Sequence, residues 1–202
     1  MIEGTVAHED SMGNKGTIAS GDVQWMTADS GIIHQEMPQR YERRITGFQL
    51  WVNLPASHKM MPSRYRRLTR EQIPTITVGD GTQVTIVCGE VNGVKGPVQD
   101  IVVEATHLRL ILEPRAAFVH QVPRGHTAFA YLFEGSGYFD PAKEQRVGSE
   151  HLVIFDDGDS ISTAAADQTM QCLLVSGQPI KEPVAWRGPI VMNTEEKFAE
   201  SL

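Results

Sequence analysis

The sequence predicts an all-β protein built from two related β-barrels. Short segments rich in β-branched and aromatic residues, or alternating in polarity, are separated by glycines at strand-length intervals along the 202 residues. Such regular spacing favours a barrel or sandwich over a βαβ fold. An internal repeat supports two barrels, since residues 1–4 (MIEG) return as 132–135 (LFEG).

Six segments carry a strand pattern and one carries a helix pattern. The predicted strands span residues 22–26, 48–52, 83–87, 108–112, 128–133 and 151–155. Thr194 is a favourable N-cap residue, and two glutamates follow it in the first turn, where carboxylates interact well with the helix dipole. We therefore expect one short helix near the C-terminus.

The repeat and the composition divide the chain into three segments. Residues 1–60 are expected to form the first barrel, and residues 100–202 the second barrel with a tail. Residues 61–99 are rich in proline, glycine and polar residues but contain a predicted strand of their own. We expect this segment to join the two barrels.

His34 and Glu36 stand two residues apart in the segment GIIHQE. On an extended strand both side chains point to the same face. An imidazole nitrogen and a carboxylate oxygen suit Fe(II), Mn(II), Ni(II) or Zn(II) better than a thiophilic ion. The same pair also fits the polar edge of an ordinary strand, so the spacing alone leaves both interpretations open.

The sequence around this pair resembles that of the pirin family, whose members are bicupins, with two double-stranded β-barrels (jelly rolls) on one chain. The resemblance extends over nearly the whole chain and rests on NKGTIASGDVQWMTA (14–28), GIIHQE (31–36), GFQLWVNLP (47–55), KMMP (59–62), AFAY (128–131), SGQPI (176–180), EPV (182–184) and GPIVMNT (188–194). It implies an iron-type metal in the first barrel, held by three histidines and one glutamate. His34 and Glu36 match the third and fourth of these ligands.

The resemblance also predicts that the first barrel is incomplete. Family members carry the first two ligands in a His-Pro-His-Arg-Gly-Phe-Glu segment directly before the residues that appear here as 1–4, and the sequence begins after that segment. Loss of even secondary partners of a metal site commonly lowers affinity roughly ten- to a hundredfold. We therefore expect His34 and Glu36 alone to bind Fe(II) or another divalent transition metal weakly.

The other histidines are expected to have structural or solvated roles. His8 is interpreted as a surface strand residue, with a metal contact as the less favoured alternative. In the second barrel, alignment of the repeats places Gln121 and Pro123 where the family has its first two histidines, while His120 and His126 lie out of register. Since a proline side chain cannot bind a metal, the second barrel is predicted to be metal-free.

The resemblance leaves two functional classes open. One is a dioxygenase of the quercetin 2,3-dioxygenase type, in which the metal holds a deprotonated, flavonol-like aromatic substrate and Glu36 stays bound or serves as the catalytic base. The other is a non-enzymatic protein-interaction or regulatory module. The two upstream histidines discriminate these classes, and the chain without them favours the binding or inactive interpretation.

The net charge of the chain limits the kinds of molecule that it is expected to bind. A net charge of −7 argues against direct nucleic-acid binding, and the basic stretch at 40–70 is interpreted mainly as a solvated face, with an anionic partner as the alternative. Cys88 and Cys172 lie in apolar segments that have a strand pattern, and both are predicted to be buried and reduced.

The expected location of the protein follows from the absence of targeting signals. With neither a leader nor a membrane span in the sequence, we expect a cytoplasmic protein that does not bind membranes. Exposed strand edges predict a homodimer.

Overall fold

The computed structural model describes residues 1–28, 31–40 and 44–200, and these residues are mainly in β-strands. The first strands are β1 (Thr5–Asp10), β2 (Lys15–Ala19), β3 (Val23–Thr27), β4 (His34–Pro38), β5 (Arg64–Leu68), β6 (Thr75–Val78), β7 (Thr82–Cys88), β8 (Glu90–Val91) and β9 (Val94–Lys95). They are followed by β10 (Ala105–Leu112), β11 (Ala117–Gln121), β12 (Thr127–Glu134), β13 (Ser136–Tyr138), β14 (Arg146–Gly148), β15 (His151–Ile154), β16 (Ser160–Ala165), β17 (Met170–Gly177), β18 (Ala185–Arg187) and β19 (Ile190–Met192). Short 3-10 helices occur at Ala56–His58 and Arg70–Gln72, and the α-helix is α1 (Glu195–Glu200).

Residues Glu71–Pro179 form a compact unit with two antiparallel sheets around one apolar core. The larger sheet has the order β15-β12-β17-β10-β7-β6 and the smaller β11-β16-β13-β14. Side chains on β12 alternate between buried and partly exposed, as expected when one face of a strand covers a core. Leu108, Leu110 and Leu132 are fully buried in that core.

Residues Met1–Arg70 and Ile180–Leu202 form the other compact unit. It contains a sheet of order β2-β1-β4 and the two-stranded sheets β3-β5 and β18-β19. Val6 and Ile18 are directly opposite one another on β1 and β2, and both are buried. The candidate metal ligands lie on β4, at the edge of the three-stranded sheet.

Five of the six predicted strands are confirmed as β3, β7, β10, β12 and β15 within a few residues of the expected bounds. The sixth, at 48–52, is wrong. Residues 47–55 form no strand, and Leu50, Trp51 and Val52 are 38–56% exposed. Alternating polarity predicts which side chains of a strand would face the core, but a strand also needs a neighbouring strand to pair with. Residues 48–52 pair with none of the described strands. The predicted strand at 83–87 is part of the large sheet of the unit Glu71–Pro179.

The helix prediction is confirmed, since α1 begins at Glu195 and the hydroxyl of Thr194 accepts a hydrogen bond from the N–H of Lys197 at 3.3 Å. Cys88 and Cys172 are both buried and form no disulfide, also as predicted. No helix within the described ranges is long and apolar enough to cross a membrane.

Candidate metal centre

Strand β4 places His34 and Glu36 on one face of the three-stranded sheet. In the antiparallel ladder with β1, His34 lies opposite Asp10 and Glu36 lies opposite His8. Side chains directly opposite one another share a face, so the four polar side chains form one group. His34 and Glu36 are exposed, whereas His8 and Asp10 are 2% and 7% exposed.

His8 is not a surface strand residue, which corrects the expectation from the sequence. Its imidazole stacks on the ring of Tyr65 at a centroid distance of 5.0 Å, and its centroid lies 6.0 Å from that of His34. The side-chain amide nitrogen of Gln24 is 2.9 Å from Nδ1 of His8, and Nε2 is 3.3 Å from a carboxylate oxygen of Asp10. Since both ring nitrogens have protein partners, the arrangement fits a residue that supports His34 rather than a free ligand.

Asp10 fixes the turn between β1 and β2. Its carboxylate accepts hydrogen bonds from the N–H groups of Met12 and Asn14 and from the side-chain amide of Asn14. Desolvation raises the pKa of Asp10, but these hydrogen bonds and the one with His8 together outweigh it, and the net pKa is lowered. A charged Asp10 therefore anchors the end of β1 beside His34.

Strand β5 contributes the aromatic wall of the group. Tyr65 lies opposite Met26 in the β3–β5 ladder, and Arg67 lies opposite Gln24, so these four side chains share a face. Burial raises the pKa of the Tyr65 phenol, with a smaller contribution of the same sign from the carboxylates of Asp10 and Glu36 and an opposing one from Arg67. The phenol therefore stays protonated at neutral pH.

The donor set of a single chain is smaller than a four-ligand metal site requires. Within residues 1–28, 31–40 and 44–200, no group of three or more His, Cys, Asp or Glu side chains is arranged to hold a metal ion. His34 and Glu36 present two exposed donors. The side-chain oxygen of Gln24, beside His8, is buried without a hydrogen-bond partner. The residues of one chain thus fit part of a metal site, and the full set needs two more donors.

In the unit Glu71–Pro179, the two positions aligned with the family's first two metal-binding histidines, Gln121 and Pro123, are exposed. Gln121 is exposed at the end of β11, and Pro123 lines a cavity of about 360 Å3 together with Glu104 and His126. His120 is buried against Phe118, and burial lowers the pKa of its imidazole. The metal-free state of this barrel stays a prediction.

The basic stretch at 40–70 is not one uniform solvated face. Lys59 is buried, and its ammonium donates to the side-chain oxygen of Asn53 at 2.6 Å. Arg67 approaches the carboxylate of Asp22 at 3.7 Å. Arg43, which belongs to the same stretch of sequence, lies outside the described residues.

Comparison with known proteins identifies the family. The family model described as "Pirin" matches residues 1–52, which include His34 and Glu36, and the model described as "Pirin C-terminal cupin domain" matches residues 107–202. Pirin-1 of Arabidopsis thaliana is 39% identical over 201 residues, a match that covers 98% of this chain and 69% of that protein. The chain belongs to the pirin family.

Other family members agree with this assignment. Pirin of Homo sapiens is 37% identical, over 98% of this chain and 68% of its own length. A crystal structure of a quercetin 2,3-dioxygenase from Acinetobacter baumannii matches with a TM-score of 0.86 and 30% identity, covering 98% of this chain and 70% of that one. The chain is thus a pirin-family bicupin, as the sequence predicts.

Sequence patterns missed the supporting residues around His34. Val6, His8 and Asp10 are the buried residues of β1, so the inner face of this strand is mostly polar. Hydrophobic alternation does not reveal a polar inner face. The available signal was the His8–Asp10 spacing itself, which repeats the two-residue spacing of His34 and Glu36.

Proposed function

We propose that this pirin-family protein is a metal-dependent, quercetinase-type dioxygenase whose metal site uses His34 and Glu36. The observation that carries the proposal is the placement of both side chains on one face of β4, beside the buried His8. The similarity to the Acinetobacter baumannii quercetin 2,3-dioxygenase supports a small, flavonol-like aromatic substrate. Fe(II), or another divalent transition metal, is the cofactor that the donor types favour.

The residues of the chain have distinct roles in this proposal. His34 is a fixed nitrogen donor, and its orientation is supported by His8, which is itself held by Gln24, Asp10 and stacking on Tyr65. Glu36 is exposed and accepts the proton of a substrate hydroxyl. Two further donors come from a His-Pro-His segment of the family type placed before Met1.

The test compares the 202-residue chain with an extended protein that carries a His-Pro-His-Arg-Gly-Phe-Glu segment and the preceding family strands at its N-terminus. Both are loaded anaerobically with Fe(II) or Ni(II), and the loss of flavonol absorbance is followed after oxygen is added. We expect turnover in the extended protein and little or none in the shorter chain. An extended protein with Ala-Pro-Ala in place of His-Pro-His is the matched control, and activity equal to that of the His-Pro-His protein would contradict the proposal.

A protein-interaction module is the second candidate, because this unit exposes aromatic side chains. Trp51 and Trp186 are 56% and 66% exposed, and their ring centroids lie 5.8 Å apart. Tryptophan is enriched at the energetic centres of protein interfaces. If interaction with a protein is the main function, the metal-loaded extended protein will not cleave flavonols, and replacing both tryptophans with alanine will weaken the interaction without changing metal content.

A further inference from the structure

The barrel formed by Glu71–Pro179 changes from apolar to polar at one end. The inward-facing residues of β10 begin with Thr106 and continue with three fully buried leucines, Leu108, Leu110 and Leu112. Thr106 lies directly opposite Ser176 in the ladder between β10 and β17, so both side chains are on the face that the leucines cover further along. The apolar core therefore stops where β10 begins, and the barrel ends there in a polar layer.

A cavity of about 360 Å3 lies at this polar end. Thr106 and His126 line it with polar groups, and Val98, Ile101 and Pro123 line it with apolar ones. All of its lining residues belong to the unit that contains this barrel. Its volume is at the lower end of the range for small-molecule pockets, which combine apolar walls with a few placed polar groups. The cavity therefore suits a ligand about the size of an aromatic ring with a short side chain.

The wall that Val98 provides is fixed against β7. The N–H of Val98 donates to the carbonyl of Val87 at 3.1 Å, and the N–H of Gly96 donates to the carbonyl of Gly89 at 2.9 Å. A Cβ atom at Gly96 would lie 2.6 Å from the carbonyl oxygen of Val87, so only glycine allows this close approach. The wall is thus formed without a ligand, which lowers the cost of ordering the site on binding.

Two polar side chains at this end of the barrel are buried without hydrogen-bond partners. The side chain of His126 is 10% exposed, and its one polar contact among the described residues is the carboxylate of Glu104 at 3.9 Å, too long for a hydrogen bond. Ser176, opposite Thr106, is 3% exposed, and its hydroxyl has no partner within the part of the chain that the structure describes. Most buried polar groups are hydrogen-bonded, and a bound molecule that donates hydrogen bonds would supply the partners that these two lack.

The charge of the lining decides which kind of ligand fits. Glu90 and Lys95 pair with one another at 3.7 Å. Asp100 and Glu104 also line the cavity, and neither has a lysine or arginine partner among residues 1–28, 31–40 and 44–200. Two carboxylates without a matching cation make the electrostatic potential in the cavity negative. A negatively charged ligand is therefore disfavoured, and a positively charged one is favoured.

We propose that this cavity binds a small organic cation, a primary ammonium group on an apolar body. The ammonium group has three N–H donors, which match the carboxylate of Glu104, the hydroxyl of Thr106 and a ring nitrogen of His126 as acceptors. The apolar body packs against Ile101 and Pro123. None of these residues belongs to the proposed metal site, so the inference goes beyond the proposed dioxygenase activity.

Three probes of similar shape test the charge preference. Phenethylammonium, neutral 2-phenylethanol and anionic phenylacetate are titrated into the unaltered chain at pH 7 in EDTA, and binding is measured by calorimetry. We expect phenethylammonium to bind about tenfold more tightly than 2-phenylethanol, and phenylacetate to bind more weakly than either. Phenethylammonium binding that is absent, or no tighter than that of the alcohol or the acid, would overturn the proposal.

Two isosteric variants locate the site. Glu104→Gln removes a cavity carboxylate that is 80% exposed, so the fold should be unaffected. Glu113→Gln is the matched control, because it makes the same change in net charge just beyond the other end of β10, outside the cavity.

The two variants should differ in binding the charged probe. We expect Glu104→Gln to weaken phenethylammonium binding about fivefold and to leave 2-phenylethanol binding unchanged, and Glu113→Gln to change neither. Equal effects of the two variants on phenethylammonium would show only a general attraction to a negative protein and would overturn the site. These readouts use neither metal nor flavonol turnover, so failure of the proposed activity is distinguishable from failure of this inference.

Discussion

His8 lies directly opposite Glu36 across the β1–β4 ladder, yet His8 is 2% exposed and Glu36 is on the open side of the strand. The pair joins a buried, fully hydrogen-bonded imidazole to an accessible carboxylate. His8 is thus suited to hold neighbouring side chains in place, whereas Glu36 is suited to present its carboxylate to a ligand.

Replacement of His8 tests the positioning role. His8→Ala removes the stacking on Tyr65 and one hydrogen-bond partner of the Gln24 amide, so we expect a loss of roughly 1–3 kcal/mol in the free energy of unfolding. His58→Ala, at an exposed position, is the control and should change stability by less than roughly 0.5 kcal/mol. Urea denaturation measures both. Equal stability of the two variants would show that His8 supports nothing.

The two thiols should react slowly in the folded chain. Burial raises the pKa of Cys172 to about 12 and also raises that of Cys88, so little reactive thiolate is present at neutral pH. A thiol reagent should label both within seconds in denaturant and far more slowly without it. Rapid labelling of the native chain, or an intact mass that shows an internal disulfide, would contradict the buried, reduced assignment.

His107 should make stability depend on pH. Burial lowers its pKa from the usual 6.5 to about 4, so the unfolded chain binds the extra proton more readily than the folded chain. Its contribution is complete above pH 6.5 and is lost as the pH falls toward 4, by roughly 2 kcal/mol at pH 5. Denaturation at pH 7 and pH 5 should show a smaller difference for His107→Gln than for the unaltered chain. An identical difference would place His107 in solvent.

Alanine substitutions at two glycines with the same φ angle should separate the conformational cost of a Cβ atom from its steric cost. Gly125 and Gly135 both have φ +79°, but an added Cβ meets nothing at Gly125 and overlaps the carbonyl oxygen of Thr169 at Gly135. Gly125→Ala should cost about 1 kcal/mol, the usual penalty for this conformation. Gly135→Ala should cost roughly 3 kcal/mol or more because the backbone must also move. Equal costs in denaturation experiments would show that the Thr169 contact relaxes freely.

Much of the fold follows from sequence because strand patterns are local, and the exceptions have physical causes. Residues 48–52 alternate in polarity as a strand does but pair with none of the strands in the described part of the chain. For the site, the spacing of His34 and Glu36 predicts their common face, which the ladder with β1 bears out. Burial of His8 was not predictable, because it depends on Tyr65, distant in sequence and brought close by folding.

The metal content of the extended protein tests the central claim, that His34 and Glu36 are half of a metal site. After loading with Fe(II) or Ni(II) and dialysis, the extended protein should retain about one ion per chain, and its His34→Ala variant almost none, since loss of a direct ligand breaks the coordination sphere. The 202-residue chain should retain far less than one ion per chain, because His34 and Glu36 supply only two of the four donors. A full equivalent in the 202-residue chain would contradict the assigned ligand set, and His8 would be the first residue to reconsider.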